Sequence, residues 1–370
     1  MKKGWKNMKL GDVADVIHGK CQKEVISEHG QYPIYGSGGN IMGYANEYIC
    51  EAGTTILGRK GSINNPQFIS SRFWNVDTAF GISAKSGYNN KFIFYFIKNI
   101  DWSKKNTGTT LPSLTQQVVK STPIPVPSLP EQQRIVSYLD TQFAKIDQLK
   151  ENAEKASLEA RLLLENSISK LTKPQNNWES KELKDLCTIC GEYGLNESAT
   201  GYNGIRYIRI TDITADGELN EEKVSATNKG DKRQEKLKEG DILFARTGAT
   251  VGKTLVYKDD LGDCVFAGYL IRYRTNPNII LPKYLFYYTH SSDYYEWVKQ
   301  NQAAAAQPNI SAQKYNKLII NFPPDINEQQ EIINKLDKFY NKCKQLENIN
   351  TQILFLCNDL KQSLLKDIFE

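Results

Sequence analysis

The sequence predicts an α+β protein with two similar mixed α/β domains, separated by two long antiparallel coiled-coil helices in a pseudo-two-fold repeat. Three observations predict this fold: an internal duplication of the 370-residue chain, short alternating apolar runs bounded by Gly and Pro, and two long segments that contain neither residue. The predicted organisation is a first domain over 1–130, a first helix over 131–172, a second domain over 173–327 and a second helix over 328–370.

The duplication consists of sequence blocks that occur in the same order in both halves. The matched blocks are Trp5–Asp12 with Trp178–Asp185, Gly53–Ser62 with Gly240–Ala249, Lys91–Phe96 with Lys283–Tyr288, Leu111–Thr115 with Gln307–Ser311, and Glu131–Asp140 with Glu328–Asp337. Chance does not produce this many matches in one order. The second copy is longer, and we expect its extra residues to lie in loops.

The two segments without Gly or Pro are rich in Leu, Ala, Glu, Lys and Gln, which predicts helices over their whole length. The second has heptad spacing at Phe339, Cys343, Leu346, Asn350, Ile353, Cys357, Leu360 and Leu364. The matched positions of the first are Gln142, Ile146, Leu149, Ala153, Ala156, Ala160, Leu163 and Ser167. Because one seam is bulky and the other is rich in Ala, we expect the helices to pack together as a coiled-coil spacer. The alternative is two separate core helices.

Composition argues against several protein classes. The mean hydropathy is -0.52, and no run approaches the roughly 20 apolar residues that a membrane span needs. The N-terminal segment MKKGWKNMKLGD lacks the apolar stretch of a signal peptide, so we expect a cytoplasmic protein. The seven cysteines are scattered and odd in number, which does not indicate a disulfide framework.

No motif predicts catalysis or metal binding. The segment Thr247–Thr254, TGATVGKT, is similar to a phosphate-binding loop, but Thr247 stands where the first Gly is required. Cys187 and Cys190 have the spacing of half a zinc site, yet no second Cys or His pair follows at a suitable distance. Asn65–Phe68, NPQF, misses the second Pro of a methyltransferase motif. We therefore expect no catalytic residue, no metal and no cofactor bound by this chain.

Positive charge is concentrated in the first domain. Residues 1–130 contain 15 Lys and Arg against 8 Asp and Glu, whereas residues 173–327 contain 20 of each. This distribution permits nucleic-acid binding without establishing it.

Matched polar and basic loop residues are the candidates for DNA contact. Arg59 and Lys60 lie between Gly58 and Gly61, so the backbone can approach a duplex while two cations point outward, and arginine can bond guanine bidentately. The candidates in the first domain are Tyr35, Ser37, Arg59, Lys60, Ser62, Thr109, Thr110 and Ser113. Those in the second are Arg209, Thr211, Asp212, Arg246, Thr247, Lys253, Gln307 and Asn309. For any single residue, a capped turn or a solvated loop remains the alternative.

The matched blocks resemble the DNA-sequence specificity subunit of type I restriction–modification systems. The resemblance spans both copies and is carried by YPIYGSGG, ILGRKGSI, TGTTLPSLT and the block PIPVPSLPEQQRIVSYLD. The second copy departs from this pattern with FPPDINEQQEIINKLD, and QPNIS replaces LPSLT. These departures suggest that the two domains recognise different base sequences.

The resemblance implies that 1–130 and 173–327 are target-recognition domains, each contacting a few base pairs of double-stranded DNA, with a fixed spacer set by the helices. It also implies two methyltransferase subunits that bring S-adenosylmethionine, and a restriction and translocase subunit that uses ATP and Mg. This chain would then be a non-catalytic recognition subunit with no membrane association. The alternative is a non-catalytic coiled-coil scaffold that binds proteins, which the zero net charge of 173–327 favours. A fused nuclease or methyltransferase is disfavoured by the missing motifs.

Overall fold

The structure is a computed structural model that describes residues 2–227, 236–302 and 308–370. The chain divides into two compact units, Met1–Ala153 with Thr351–Glu370, and Glu154–Asn350. Each unit therefore contains one globular domain together with part of each long helix.

The first globular domain is built from short strands around one main antiparallel sheet. Its strands are β1 (Lys6–Lys9), β2 (Ala14–His18), β3 (Tyr32–Tyr35), β4 (Ile41–Ala45), β5 (Thr54–Gly58), β6 (Gln67–Ile69), β7 (Trp74–Asn75), β8 (Ala79–Ala84) and β9 (Pro123–Val126). Its helices are α1 (Leu10–Val13), α2 (Asn90–Asn99) and α3 (Gln116–Ser121). The main sheet has the order β2-β8-β5-β6, β1 pairs with β9, and β3 lies between β4 and β7. The central strand β5 is buried along its whole length.

The second globular domain repeats this plan. Its strands are β10 (Glu179–Glu182), β11 (Cys187–Tyr193), β12 (Ala199–Gly201), β13 (Arg206–Ile208), β14 (Val224–Ala226), β15 (Asp241–Ala245), β16 (Thr254–Val256), β17 (Cys264–Phe266), β18 (Leu270–Thr275) and β19 (Ile319–Phe322). The main sheet has the order β11-β18-β15-β16, and β10 pairs with β19. The parallel pair β13 and β17 corresponds to β3 and β7 of the first domain. The duplication is therefore present in sheet topology as well as in sequence.

The long helices confirm the prediction from the two segments without Gly or Pro. They are α4 (Leu129–Leu171) and α8 (Ile326–Phe369), and the second domain also contains α5 (Pro282–Tyr288), α6 (Ser292–Asn301) and α7 (Ala312–Asn316). Pro130 lies in the first turn of α4, where its missing N–H costs nothing. Both helices begin slightly before the predicted positions.

The helices run antiparallel within each unit. In the second unit, Cys343 lies beside Ala160, and Asn350 Nδ2 donates to Ser157 Oγ at 2.8 Å. In the first unit, Lys361 pairs with Asp147, while Phe369 packs against Phe92 at the globular domain. Contacts further along α8 toward its C-terminus are thus made with residues nearer the N-terminus of α4, as antiparallel packing requires.

The heptad seam is only half buried. Every seventh residue of the α8 seam is covered, namely Cys343, Asn350 and Cys357, and Ala153 of α4 is 5% exposed. Of the alternate positions of α8, Leu346 and Ile353 are partly buried, whereas Phe339 is 37% exposed and Leu360 48%. On α4, Leu149 is 53% exposed and Leu163 56%. The predicted pairing of the two long helices is confirmed, but these seam positions stay exposed because two paired helices cover only a narrow stripe of each other.

The same two contacts attach each domain to its long helix. Gln132 accepts a hydrogen bond from Asn89 N at 2.9 Å and donates to Pro127 O at 3.0 Å, and Asp140 accepts from Lys91 and Tyr95. In the second unit, Gln329 accepts from Leu281 N and donates to Pro323 O, while Asp337 accepts from Lys283 and Tyr287. These contacts explain why the EQQ and LD motifs recur: both glutamines are buried anchors between domain and helix.

Within the described ranges, no helix has the length and apolar character needed to cross a membrane, and no cluster of His, Cys, Asp and Glu could hold a metal ion.

Candidate nucleic-acid interface

In the first domain, the loop that carries Arg59 is clamped between two other segments. We call Gly58–Ser62 the arginine loop and Leu111–Thr115 the facing loop. Arg59 N donates to Thr78 O at 2.8 Å, and Arg59 O accepts from Leu114 N at 2.8 Å. Lys60 and Ser113 form an isolated β-bridge. A Cβ at Gly58 would lie 2.2 Å from the Ser62 carbonyl oxygen, so this turn requires glycine.

The second domain forms the same arrangement with different side chains. Its arginine loop is Ala245–Ala249, and the described part of its facing loop is 308–311. Arg246 N donates to Tyr269 O at 3.1 Å, and Arg246 O accepts from Ile310 N at 2.9 Å. Thr247 bridges Asn309 as Lys60 bridges Ser113. The matched sequence blocks thus form the same arrangement of backbone hydrogen bonds in both domains.

A third loop joins the arginine loop in the first domain. The chain turns after Tyr35, with Gly36 N donating to Asn40 O at 2.9 Å. Asn65 Nδ2 donates to Gly38 O at 3.2 Å, which holds the turn that contains Ser37 against the segment following Ser62. Tyr35 itself packs edge-on against Phe73 and is only partly exposed.

Some candidate side chains of the first domain are exposed, and others are hydrogen-bonded within the chain. The exposed side chains among them are Lys60, Ser62, Thr109 and Thr110. Arg59 is half-buried, and its Nη1 donates to Asp77 O at 3.0 Å. Ser113 is half-buried, and its hydroxyl donates to Leu111 O at 3.0 Å. Direct DNA contact by these residues stays a prediction.

In the second domain, part of the predicted set is buried or paired within the chain. Asp212 is 1% exposed, and its carboxylate accepts hydrogen bonds from the backbone and guanidinium of Arg209. Arg209 also pairs with Glu222 at 3.1 Å, so its charge is already balanced. We therefore assign Asp212 a supporting role, because a buried and fully bonded carboxylate cannot meet a base.

Two further candidates have internal partners. Lys253 Nζ donates to Ile213 O at 3.1 Å, and Thr247 is 6% exposed within its β-bridge. Thr211 is exposed and Asn309 half-buried. Gln307 lies outside the described residues.

The structure also argues against a functional role for two of the three motifs that nearly match a catalytic or metal site. Thr254 of the phosphate-loop-like segment is buried and shares a 2.7 Å hydrogen bond with Thr289. Burial raises the pKa of the thiols of Cys187 and Cys190, which opposes the thiolate form that a metal ligand needs.

Sequence reasoning missed Tyr193 and Tyr269. The Tyr193 ring lies 4.8 Å from the Arg246 guanidinium carbon, and Tyr269 is 60% exposed. With Arg209 and Arg246, these tyrosines line an open cavity of about 580 Å³ beside the arginine loop. These four residues are far apart in the sequence, so no local sequence pattern could predict that they line one cavity.

Comparison with known proteins identifies the family of this chain. The chain matches the family described as type I restriction modification DNA specificity domain over residues 2–160 and 175–354. The chain belongs to this family, and it is a DNA specificity subunit of the type I restriction–modification class, a recognition component rather than an enzyme. The scaffold alternative is not favoured.

Similar proteins cover most of the chain. It is 23% identical to the EcoBI specificity subunit of Escherichia coli, over 85% of this chain and 72% of that protein. It is 24% identical to the putative specificity subunit S.HindORF215P of Haemophilus influenzae, over 89% and 86%. Among solved structures, a chain from a study of assembly and conformational transition of the type I system has a TM-score of 0.77 at 18% identity, with 99% and 97% coverage. The HsdS subunit of Thermoanaerobacter tengcongensis has a TM-score of 0.58 at 18% identity, with 100% and 97% coverage.

Proposed function

We propose that this chain recognises a bipartite DNA target, with one half bound by each globular domain. The proposal rests on a backbone arrangement that recurs in both units. In each unit, the arginine loop and the facing loop are joined by hydrogen bonds at the same backbone positions, and we call this pair of loops the clamp. A scaffold held at these positions can present different side chains without changing its backbone. The clamp therefore suits base recognition, which needs a constant backbone that holds different base-contacting side chains in different proteins.

The two halves of the target differ because the clamps carry different side chains. Lys60 faces Ser113 in the first domain, while Thr247 faces Asn309 in the second. A lysine favours phosphate or guanine, whereas Thr247 is uncharged and 6% exposed, so the two clamps offer different groups to DNA. Each half-site contributes a modest share of affinity, and linking the two makes the whole site specific.

The proposed partners are two methyltransferase subunits and a restriction and translocase subunit. The support is that each unit exposes its own set of large apolar side chains on the long helices, which is typical of protein-binding surfaces. In the first unit these are Tyr138, Leu149, Phe355, Leu356 and Leu360, and in the second Leu158, Leu162, Leu163, Phe339 and Ile349. We propose that S-adenosylmethionine, ATP and Mg bind to these partners and that the complex acts in the cytoplasm.

Methylation mapping tests the bipartite target. A strain that carries the partner subunits with this chain should methylate a two-part motif with an unspecified spacer. Arg59→Ala should change or abolish one half of the motif and leave the other half unchanged, because Arg59 belongs to the first clamp alone. Arg246→Ala is the matched control and should affect the opposite half.

Two results would contradict the proposal: a continuous motif, or equal changes of both halves in either variant. Specific binding that weakens steeply with salt would further support direct DNA contact, since phosphate neutralisation releases counterions.

A further inference from the structure

We propose that Tyr193 is a positioning residue that holds Arg246 ready to bond a guanine, so that the half-site of the second domain requires guanine at one position. This inference rests on the proposed function and names a base that the second domain recognises. It requires a fixed aromatic platform, a fixed arginine backbone and a guanidinium without an internal acceptor.

The platform is fixed from two directions. Tyr193 is the last residue of β11, and it pairs with Ile271 of β18 in the main sheet. Its hydroxyl accepts a hydrogen bond from Ala312 N at 3.1 Å. The chain then continues through Gly194, where a Cβ would lie 2.2 Å from Phe266 O. The ring is therefore tied to the sheet at one end and to the start of α7 at the other.

The arginine is fixed through its backbone and stacked through its side chain. The two backbone hydrogen bonds of Arg246 hold its loop, and the guanidinium carbon lies 4.8 Å from the Tyr193 ring centroid. An arginine stacked on an aromatic ring keeps the N–H edge of its plane available while losing little entropy on binding. Tyr193 thereby reduces the ordering cost that a free arginine would pay.

The guanidinium has no internal acceptor among the described residues. Its Nε is buried without a hydrogen-bond partner in that part of the chain. The neighbouring Arg209, on the same cavity wall, is instead balanced by Asp212 and Glu222. The buried Nε cannot reach a base, but the terminal Nη groups of Arg246 have no acceptor among the described residues, so of these two arginines Arg246 is the one with terminal donors left for a ligand.

The first domain supports its arginine differently. Its counterpart of Tyr193 is His18, since His18 lies opposite Phe80 just as Tyr193 lies opposite Ile271. Arg59 donates from Nη1 to Asp77 O, so one of its two terminal nitrogens already has a partner. The stacked arrangement therefore belongs to the second domain, and its base requirement should not extend to the first.

Guanine is the base that this group fits. A planar fork of donors matches the O6 and N7 acceptors of guanine in the major groove, and this is the commonest specific contact between arginine and DNA. A phosphate would also attract the charge, but phosphate contact does not depend on base identity. Removal of the guanine N7 should weaken an arginine contact with guanine and leave an arginine contact with phosphate unchanged.

The experiment uses the complex assembled from this chain and its methyltransferase partners, with duplexes that contain the mapped target. Each guanine of the second half-site is replaced in turn by 7-deazaguanine, which keeps base pairing and removes N7. We expect one position at which the wild-type complex binds about tenfold more weakly, as a bidentate contact implies. Arg246→Met, which keeps a stem over the ring, should bind both duplexes equally.

Variants of Tyr193 test the positioning role. Tyr193→Leu should lose most of the dependence on N7, whereas Tyr193→Phe, which keeps the ring, should retain it. Arg59→Ala is the matched control and should show the wild-type dependence in this half-site. Unchanged binding to the first half-site in Arg246→Met and in both Tyr193 variants shows that these chains are folded.

Three results would overturn the inference. They are insensitivity of the wild-type complex to every 7-deazaguanine, dependence on N7 that survives in Arg246→Met, and full dependence in Tyr193→Leu. All three leave sequence-specific DNA binding intact, whereas failure of the proposed function would remove specific binding altogether.

Discussion

Asp216 connects a loop of the second domain to both long helices. Its carboxylate lies 2.6 Å from Lys344 Nζ on α8 and 3.3 Å from Arg161 Nη2 on α4. Burial opposes the charged form, but the hydrogen bond and charge of Lys344, with the charge of Arg161, lower the pKa of Asp216 below its usual value. The loop is thus held to the helices by a carboxylate that stays ionised.

Replacement of Asp216 should destabilise the chain in a pH-dependent way. A lowered folded-state pKa stabilises the native state above the unfolded pKa of about 3.9, and this contribution is lost as pH falls through the folded pKa. We expect Asp216→Asn to cost about 1 kcal/mol at neutral pH, or about 2–4 °C in Tm, and to approach wild type in acid.

Thermal unfolding at stepwise pH measures this effect. Asp260→Asn makes the same charge change at an exposed position and should leave Tm nearly unchanged at every pH. An Asp216→Asn deficit that persists undiminished at low pH would show that packing, not charge, explains its role.

At the scale of elements, Gln132 and Gln329 attach α4 and α8 to their domains. Gln132 is 1% exposed and bonds two backbone groups, whereas its neighbour Gln133 is exposed. Gln132→Ala should lower the free energy of unfolding by about 1–3 kcal/mol, because it leaves the part-buried Asn89 N–H and the buried Pro127 C=O unpaired. Gln133→Ala is the matched control, with an expected change below about 0.5 kcal/mol.

Urea unfolding of both variants checks this difference. Equal midpoints for Gln132→Ala and Gln133→Ala would mean that the buried hydrogen bonds contribute nothing net. The sequence showed that the EQQ block recurs, but it could not show which glutamine is buried. That distinction depends on where Asn89 and Leu281 lie, 43 and 48 residues away in sequence.

At the scale of the whole molecule, each of the two units exposes apolar side chains on its helices. Leu356 of the first unit is 61% exposed and Leu158 of the second 60%. A charge at either position should leave folding nearly unchanged, because the side chain is already in water, and should weaken binding of the partner on that unit.

If two methyltransferase subunits bind as proposed, each single variant should lose one copy. Leu356→Glu and Leu158→Glu should each reduce the mass of the complex by one methyltransferase, and the double variant should bind none. The exposed Gln352→Glu provides a control with the same added charge. Full occupancy in the double variant, measured by native mass spectrometry, would contradict two separate docking surfaces.

The sequence alone determined the duplication, the two long helices and the family. These features depend on residue types at fixed spacing, and spacing is a property of the linear chain. The tertiary structure decided which polar residues are available. Asp212 is buried, Arg209 is paired and Tyr193 supports Arg246 because strands distant in sequence bring these residues together. Burial and partnership arise from packing between distant segments, so no local pattern could predict them.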